Sequence, residues 1–207
     1  MATKLAIFNA TLRELGSRKL SSLAEAREPR RVLDDCWEDV LSFCIEQGAW
    51  NWAIRSQEIA ASTSITPTFG YAYAFEKPTD WVRTVGLAGD EYFQTPLLEY
   101  QDENGYWWAD IEPIYVRYVS DDTSYGYDLG AWPATFQRFV ELYLAYRAAP
   151  AVVGSDSLQD RLEKRYRRAL TDARSKDAMG DPTTFPPTGS WVKSRGGRWN
   201  QRSPDRA

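Results

Sequence analysis

A change in the spacing of apolar residues, from helical to alternating and back, is what most limits the folds open to this chain. Between Pro29 and Gln47, apolar residues recur every three or four positions over about four turns, which predicts an amphipathic helix that Gly48 ends. Short segments between residues 49 and 120 alternate instead, as strands do. Helical spacing returns after Trp132. The pattern therefore predicts helices on both sides of a β-rich insertion.

Three further helices follow from similar apolar stripes and from local stop signals. The first ends at Gly16, a typical left-handed cap, and the third is expected to break at Pro150 and Gly154. Ser155 or Asp156 can cap the fourth. These helices are predicted at 4–15, 132–149 and 156–179.

The insertion is predicted to contain short antiparallel strands joined by polar turns. The segment 77–83 is predicted to be a short helix or turn, capped by Thr79 or Asp80. In a strand, Trp107 and Trp108 point to opposite faces, so one ring is expected in the core and the other at a surface. The strands are predicted at 50–54, 71–75, 97–101, 106–110 and 114–119, with a turn at 102–105.

Together these segments predict an α+β fold, a helical bundle with an inserted small antiparallel β lobe and an extended C-terminal tail. A single domain is expected over 1–180, with helices in 1–48 and 132–179 and the β-rich insertion at 49–120. The tail is expected to cover 181–207.

The composition leaves few residues for catalysis or metal binding. The chain has no histidine, which excludes histidine-dependent triads and most zinc sites. Cys36 and Cys44 lie about 12 Å apart along one predicted helix, too far for a disulfide, and are predicted to be small core residues. The carboxylates of Asp121, Asp122 and Asp128 lack the spacing of a calcium loop and indicate an ordinary turn. We predict no catalytic, cofactor or metal site.

Two charged helix faces are candidate subunit contacts. Carboxylates opposite the apolar stripe of the second helix are expected to meet basic residues of the fourth helix of an adjacent subunit. The basic stripe also has two other interpretations, a DNA phosphate contact or a solvated face paired along its own helix. The acidic residues are Asp34, Asp35, Glu38 and Asp39; the basic residues are Arg161, Lys164, Arg165 and Arg168.

The last 27 residues have no periodic apolar pattern and are rich in proline and glycine, so they cannot bury a core of their own. They carry a net charge of +3, whereas residues 1–180 carry −7. We expect this tail to dock on the acidic surface of another protein, the alternative being that it folds back on its own body. The predicted anchors are Phe185, Trp191, Lys193, Arg195, Arg198, Trp199, Arg202 and Arg206.

Several local motifs stand in a recognisable order along residues 5–180. They are Gly48-Ala49-Trp50-Asn51-Trp52, the segment 73–83 with its Pro78-Thr79-Asp80-Trp81-Val82-Arg83 turn, 115–119, Trp132-Pro133 with Phe136, and Tyr166 with Ala169 and Ala173. This arrangement resembles the tail tubular protein A family of short-tailed phages and, more broadly, phage head-to-tail adaptor proteins. The long basic tail and the loop at 121–130 depart from that pattern.

The resemblance implies a structural virion protein without enzymatic activity or cofactor. Proteins of this kind form a ring, usually of twelve subunits, that joins the portal protein to the tail nozzle or the next tail ring. Double-stranded DNA passes through such a ring without being read. The expected location is the virion neck, after assembly in the host cytoplasm and without membrane contact.

Two functions of other classes stay open. A DNA-binding protein would use the basic helix and the tail on phosphates, and its binding would depend steeply on salt. A carboxylate-based hydrolase would need two carboxylates roughly 5–9.5 Å apart in a cleft.

Overall fold

The computed structural model describes residues 2–67 and 70–180 and has the predicted α+β organisation. The tail and all of its predicted anchors lie outside the described residues. The helices are α1 (Lys4–Glu14), α2 (Glu28–Glu46), α3 (Ala134–Val152) and α4 (Asp156–Ala178). The strands are β1 (Ile54–Ile59), β2 (Tyr73–Glu76), β3 (Trp81–Ala88), β4 (Gln101–Glu103), β5 (Tyr106–Ala109) and β6 (Ile114–Ser120). Among these described residues, no helix is both long and apolar enough to cross a membrane.

Helix α3 is the centre of the bundle because it is buried on nearly every side. The Tyr143 ring stacks on Phe43 of α2 at a centroid distance of 4.4 Å and meets Tyr166 of α4 edge-on at 5.1 Å. A helix that is apolar all round must be enclosed, and α1, α2 and α4 all pack on it. The outer helices consequently carry the charged surface.

The strands form two antiparallel sheets, with the orders β1-β6-β3 and β2-β5-β4. Alternation along the central strand β6 divides its side chains between two cores. Val119 packs with the helices, whereas Ile114, Val116 and Tyr118 pack with the second sheet. Trp107 of β5 is fully buried between the sheets and donates from Nε1 to Thr84 Oγ1 of β3 at 3.0 Å. Trp108 is half-buried, so the prediction for this pair of rings is confirmed.

The strand predicted at 50–54 begins only at Ile54, because the preceding residues close the end of α2. The Trp50 indole donates to the carbonyls of Cys44 and Ile45 at 3.2 and 3.0 Å, and a 3-10 turn follows at Asn51–Ala53. A Cβ at residue 48 would lie 2.9 Å from the Trp50 ring. Gly48 is therefore required by this close approach, besides ending the helix as predicted.

Of the two structures predicted for 77–83, the turn is confirmed and the short helix is wrong. The Trp81 amide bonds to the Pro78 carbonyl at 3.0 Å, and β3 begins at Trp81 and pairs with β6. Paired strands satisfy the same backbone groups, so the capping residues Thr79 and Asp80 begin no helix. Asp80 instead contacts neighbouring strands, as described below.

Two other boundaries differ from the prediction. A strand is expected at 97–101, but β4 covers Gln101–Glu103. The hairpin turn is correspondingly shorter than the predicted 102–105 and consists of Asn104 and Gly105, both with positive φ. Helix α3 continues through Pro150 to Val152 and stops before Gly154, whose φ is +65°. Only two helical residues follow Pro150, so the backbone hydrogen bond that proline cannot donate is lost in the last turn of the helix.

Glu14 ties three helices together. Its carboxylate accepts a hydrogen bond from Arg138 of α3 at 2.7 Å and another from Arg165 of α4. Burial alone would raise the pKa of Glu14, but these two guanidinium hydrogen bonds outweigh burial and hold the pKa below its usual value. Because the carboxylate is only 13% exposed, we assign it a role in holding α1 against α3 and α4.

Glu14→Gln should lower the free energy of unfolding at pH 7 by about 1 kcal/mol, since both guanidinium groups stay more than a third exposed and screened. A lowered folded-state pKa stabilises the protein above the unfolded value, roughly 4.3, and this contribution is lost as the pH falls through the folded value. The difference between wild type and variant should therefore shrink below pH 4. Urea unfolding at pH 7 and at pH 3.5 measures it.

Glu163→Gln is the matched control, because it breaks an exposed pair with Arg167 within α4. We expect a change below about 0.5 kcal/mol for this variant. Equal effects of the two variants at pH 7 would contradict the role assigned to Glu14.

Candidate functional site: charged helix faces and an aromatic pocket

The predicted acidic face of α2 lies on the outside of the bundle. Asp35, Glu38 and Asp39 are exposed, on the side opposite the buried Trp37 and Val40. Asp34 is half-buried and pairs within the chain, with Lys4 at 3.0 Å and with Arg30. The structure thus leaves three of the four predicted carboxylates at the surface. Contact with an adjacent subunit stays a prediction.

The predicted basic face of α4 is also on the outside, with one exception. Arg161, Lys164 and Arg168 are exposed, and Leu162 and Ala169 are buried on the opposite side. Arg165 bonds to Glu14 of the same chain. This intrachain partner was missed by the sequence prediction, because residues 14 and 165 are far apart along the chain. The charged face available to another molecule therefore comprises Arg161, Lys164 and Arg168.

The two cysteines differ in their surroundings. Cys44 is fully buried, as predicted, and burial raises the pKa of its thiol well above the usual value. Cys36 is half-buried, so its core assignment holds only in part, and burial raises its pKa as well. A reactive thiol needs a lowered pKa, so neither side chain has the surroundings of an activated nucleophile.

The aspartates after β6 form ordinary turns, as predicted. Asp122 Oδ1 accepts the Ser124 amide and Asp128 Oδ1 accepts the Gly130 amide, both at 2.8 Å. These bonds are typical of Asx turns. Over residues 2–67 and 70–180, no three carboxylate or thiol groups are placed to hold a metal ion.

Asp80 is a polar centre that the sequence prediction assigned only to a cap. Its carboxylate accepts hydrogen bonds from Ser120 Oγ at 2.5 Å and Arg55 Nη1 at 2.9 Å, and the Tyr118 hydroxyl lies 3.2 and 3.3 Å from its two oxygens. These partners belong to β1 and β6, so a single carboxylate just before β3 joins all three strands. A signal was available in the sequence, since an aspartate after Pro-Thr in a turn often bonds to nearby groups.

The charges of this cluster shift two pKa values in opposite directions. Burial alone would raise the pKa of Asp80, but hydrogen bonds from Ser120 and Arg55 lower it. Burial and then the Asp80 charge raise the pKa of Tyr118 to about 12. A carboxylate and a neutral phenol are therefore the stable forms at neutral pH. This is the pattern of a structural network, because the donors to the carboxylate come from neighbouring strands of the same sheet.

An apolar pocket of about 300 Å³ lies where α4 ends. Phe136 of α3 is at its base, with ring centroids 4.9 Å from Trp50 and 4.7 Å from Trp52. Pro133 and Ala173 complete the apolar wall, and Lys176 and Gly180 line the edge. The Trp52 Nε1 is buried and has no hydrogen-bond acceptor among the described residues. Sequence reasoning placed Trp50 and Trp52 on a strand and so missed this pocket.

Contacts between α4 and the 3-10 turn fix the mouth of the pocket. The Asn51 amide donates to the Asp177 carboxylate at 3.1 Å, and Asn51 Nδ2 donates to the Asp177 carbonyl at 3.1 Å. A more polar hollow adjoins the other side of Trp50 and is lined by Arg83 and Arg174. Trp50 and Asp177 line both recesses, so a polar hollow adjoins the apolar pocket near the end of α4.

Comparison with known proteins adds no family or relative. A scan against protein-family models finds no match to the chain, and a search of curated proteins finds no matching relative.

Asp80→Asn should lower the pKa of Tyr118 from about 12 toward its ordinary value, since burial remains but the neighbouring charge is removed. The same variant should lose roughly 1–3 kcal/mol of stability at pH 7, because Arg55 and Ser120 lose a charged acceptor. An absorbance titration near 295 nm, with Tyr118→Phe to identify the signal, measures the pKa. An unchanged late-titrating tyrosine in Asp80→Asn would contradict the assignment.

Tyr118→Phe should lose less stability than wild type as the pH rises from 9 to 12. A raised folded-state pKa means that the contribution of Tyr118 is complete below the unfolded value, about 10, and is lost as the pH rises through about 12. Melting temperatures from pH 9 to 12 test this. Tyr71→Phe, at a half-buried position, is the control and should follow wild type. Parallel curves for wild type and Tyr118→Phe would contradict it.

Proposed function

We propose that this protein is a ring-forming head-to-tail adaptor of a phage virion, a structural protein without enzymatic activity. In this proposal the ring has about twelve copies, joins the portal protein to the tail nozzle or next tail ring, and lets double-stranded DNA pass. The support comes from the order of its motifs and, above all, from one feature of the charged surface.

That feature is the separation of opposite charges on two outward helix faces. Helices α2 and α4 both pack on α3, so the exposed carboxylates of one and the exposed basic residues of the other face away from it. Complementary patches on different parts of the same chain favour a head-to-tail contact between copies. A repeated head-to-tail contact closes into a ring when the rotation between neighbouring copies divides a full turn, and otherwise gives an open filament. The charge distribution thus supports contact between copies of the chain, and the ring itself is proposed from the order of the motifs.

Reversing charge on the α4 face should weaken assembly. Arg161→Glu with Arg168→Glu should leave the melting temperature within a few degrees of wild type, because both residues are exposed, but should abolish rings on purified portals. Arg165 is unsuitable for this test, since its replacement would also break the Glu14 contact. Negative-stain electron microscopy of portal mixtures and sedimentation velocity give the measurement.

A charge swap provides the decisive control. Adding Asp35→Arg and Asp39→Arg to the same chain should restore rings, because a basic α2 face can then pair with the acidic α4 face of the next copy. Arg18→Glu with Lys19→Glu makes an equal change of charge at exposed positions outside both faces and should assemble normally. If the swap fails to restore rings while the control assembles, the two faces do not meet.

The competing proposal is duplex DNA binding by the α4 face. It predicts that the isolated monomer binds DNA with a steep salt dependence and that the double glutamate variant loses this binding. Rings that form normally in that variant but fail to pass DNA would instead place the α4 face in the channel.

The C-terminal tail is proposed to attach the ring to the portal. Its support is the contrast between the basic tail and the acidic body, with Trp191 and Trp199 as large apolar anchors. Deleting 188–207 should leave the fold intact and abolish co-sedimentation with portals. Trp199→Ala should weaken attachment, whereas Gln201→Ala should not. Unchanged co-sedimentation of the truncated protein would contradict this role.

A further inference from the structure

The apolar pocket at the end of α4 has no role in the proposed ring or portal contacts. Two tryptophans, Trp50 and Trp52, and the Phe136 ring form its interior. Its volume, about 300 Å³, is at the small end of the range for ligand sites and accommodates one or two ring-shaped side chains. Trp50 and Phe136 are themselves buried, so the accessible wall is formed by the half-buried Trp52 and Pro133, and such a wall favours an apolar occupant.

The course of the chain indicates which occupant is nearest. Gly180 lines the pocket and is the last described residue, so 181–207 begins at the pocket edge. Phe185 follows five positions later, within about 17 Å even along an extended chain. A tether this short gives an effective concentration of roughly millimolar, which favours occupation by the same chain over a second copy.

The chemistry of that stretch matches the pocket. Phe185 is followed by Pro186 and Pro187, and proline-rich segments bind in aromatic grooves because their backbone is already extended. The first basic residue of the tail is Lys193. The adjacent hollow is lined by Arg83, Arg174 and Asp177, and its net positive charge is unfavourable for the basic part of the tail. Charge therefore separates an apolar proximal stretch from a basic distal one.

We propose that Phe185, Pro186 and Pro187 occupy the pocket of their own chain, against Trp52 and Pro133. The tail then has two parts with different partners. Residues up to Pro187 are held against the body that carries them, and the portion from Trp191 onward extends to another protein. Phe185 accordingly moves from the set of partner anchors to an internal contact.

Disulfide trapping in the full-length chain tests this proposal without any portal. Thr135 lines the pocket and is distant in sequence from the tail, so Thr135→Cys is combined with Thr184→Cys in a Cys36→Ser background. Mild oxidation should give an intrachain disulfide, visible by intact mass and non-reducing electrophoresis. The yield should not depend on protein concentration. A second pair, Thr135→Cys with Ser203→Cys, controls for random collisions and should trap about tenfold less.

Replacing Phe185 distinguishes specific binding in the pocket from mere proximity of the tethered chain. Phe185→Ala in the trapping background should lower the initial rate of disulfide formation about tenfold, the effect expected for loss of a buried aromatic ring. Trp199→Ala, a matched aromatic truncation outside the stretch, should leave the rate unchanged. A disulfide between two chains would assign the pocket to a second copy. Equal rates for Phe185→Ala and the parent would also overturn the proposal.

Discussion

The burial of α3 on nearly every side is the constraint on which the rest of this structure depends. A helix with apolar side chains on nearly every side cannot face water, so three helices and the turn at Asn51–Ala53 must cover it. The covering helices α2 and α4 each bury one stripe and have only their outer faces free for charge. The surfaces through which the bundle meets other molecules are therefore fixed by the burial of α3.

The sheets depend on a second, polar interaction. Asp80 collects donors from β1 and β6 at the start of β3, so the three strands share one carboxylate. Because burial disfavours an unpaired charge, these donors must remain close together for the sheet to be stable. The adjacent strand β6 divides its side chains between the helical core and the sheet core, which links the two halves of the domain.

The sequence predicted the parts of the fold that repeat along the chain. The apolar stripes located all four helices, and the alternation at 106–110 and 114–119 located β5 and β6. Local patterns could not show contacts between distant residues, so the Glu14 cluster and the Asp80 network were missed. Trp50 was misassigned because its indole bonds to α2 carbonyls, a tertiary interaction that takes precedence over an alternating pattern. The charged faces were identified, but the engagement of Arg165 and Asp34 within the chain was not.

The fastening of α4 at its far end has a mechanical consequence. Arg174 Nε bonds to the Gln47 carbonyl at 2.9 Å, and Asn51 donates twice to Asp177, so the last turn of α4 is joined to the end of α2 and to the turn before β1. Tension applied at Gly180 is consequently divided among several hydrogen bonds that must break together. A pull on the C-terminus is thus transmitted into the body of the domain, and α4 is protected from unwinding one residue at a time.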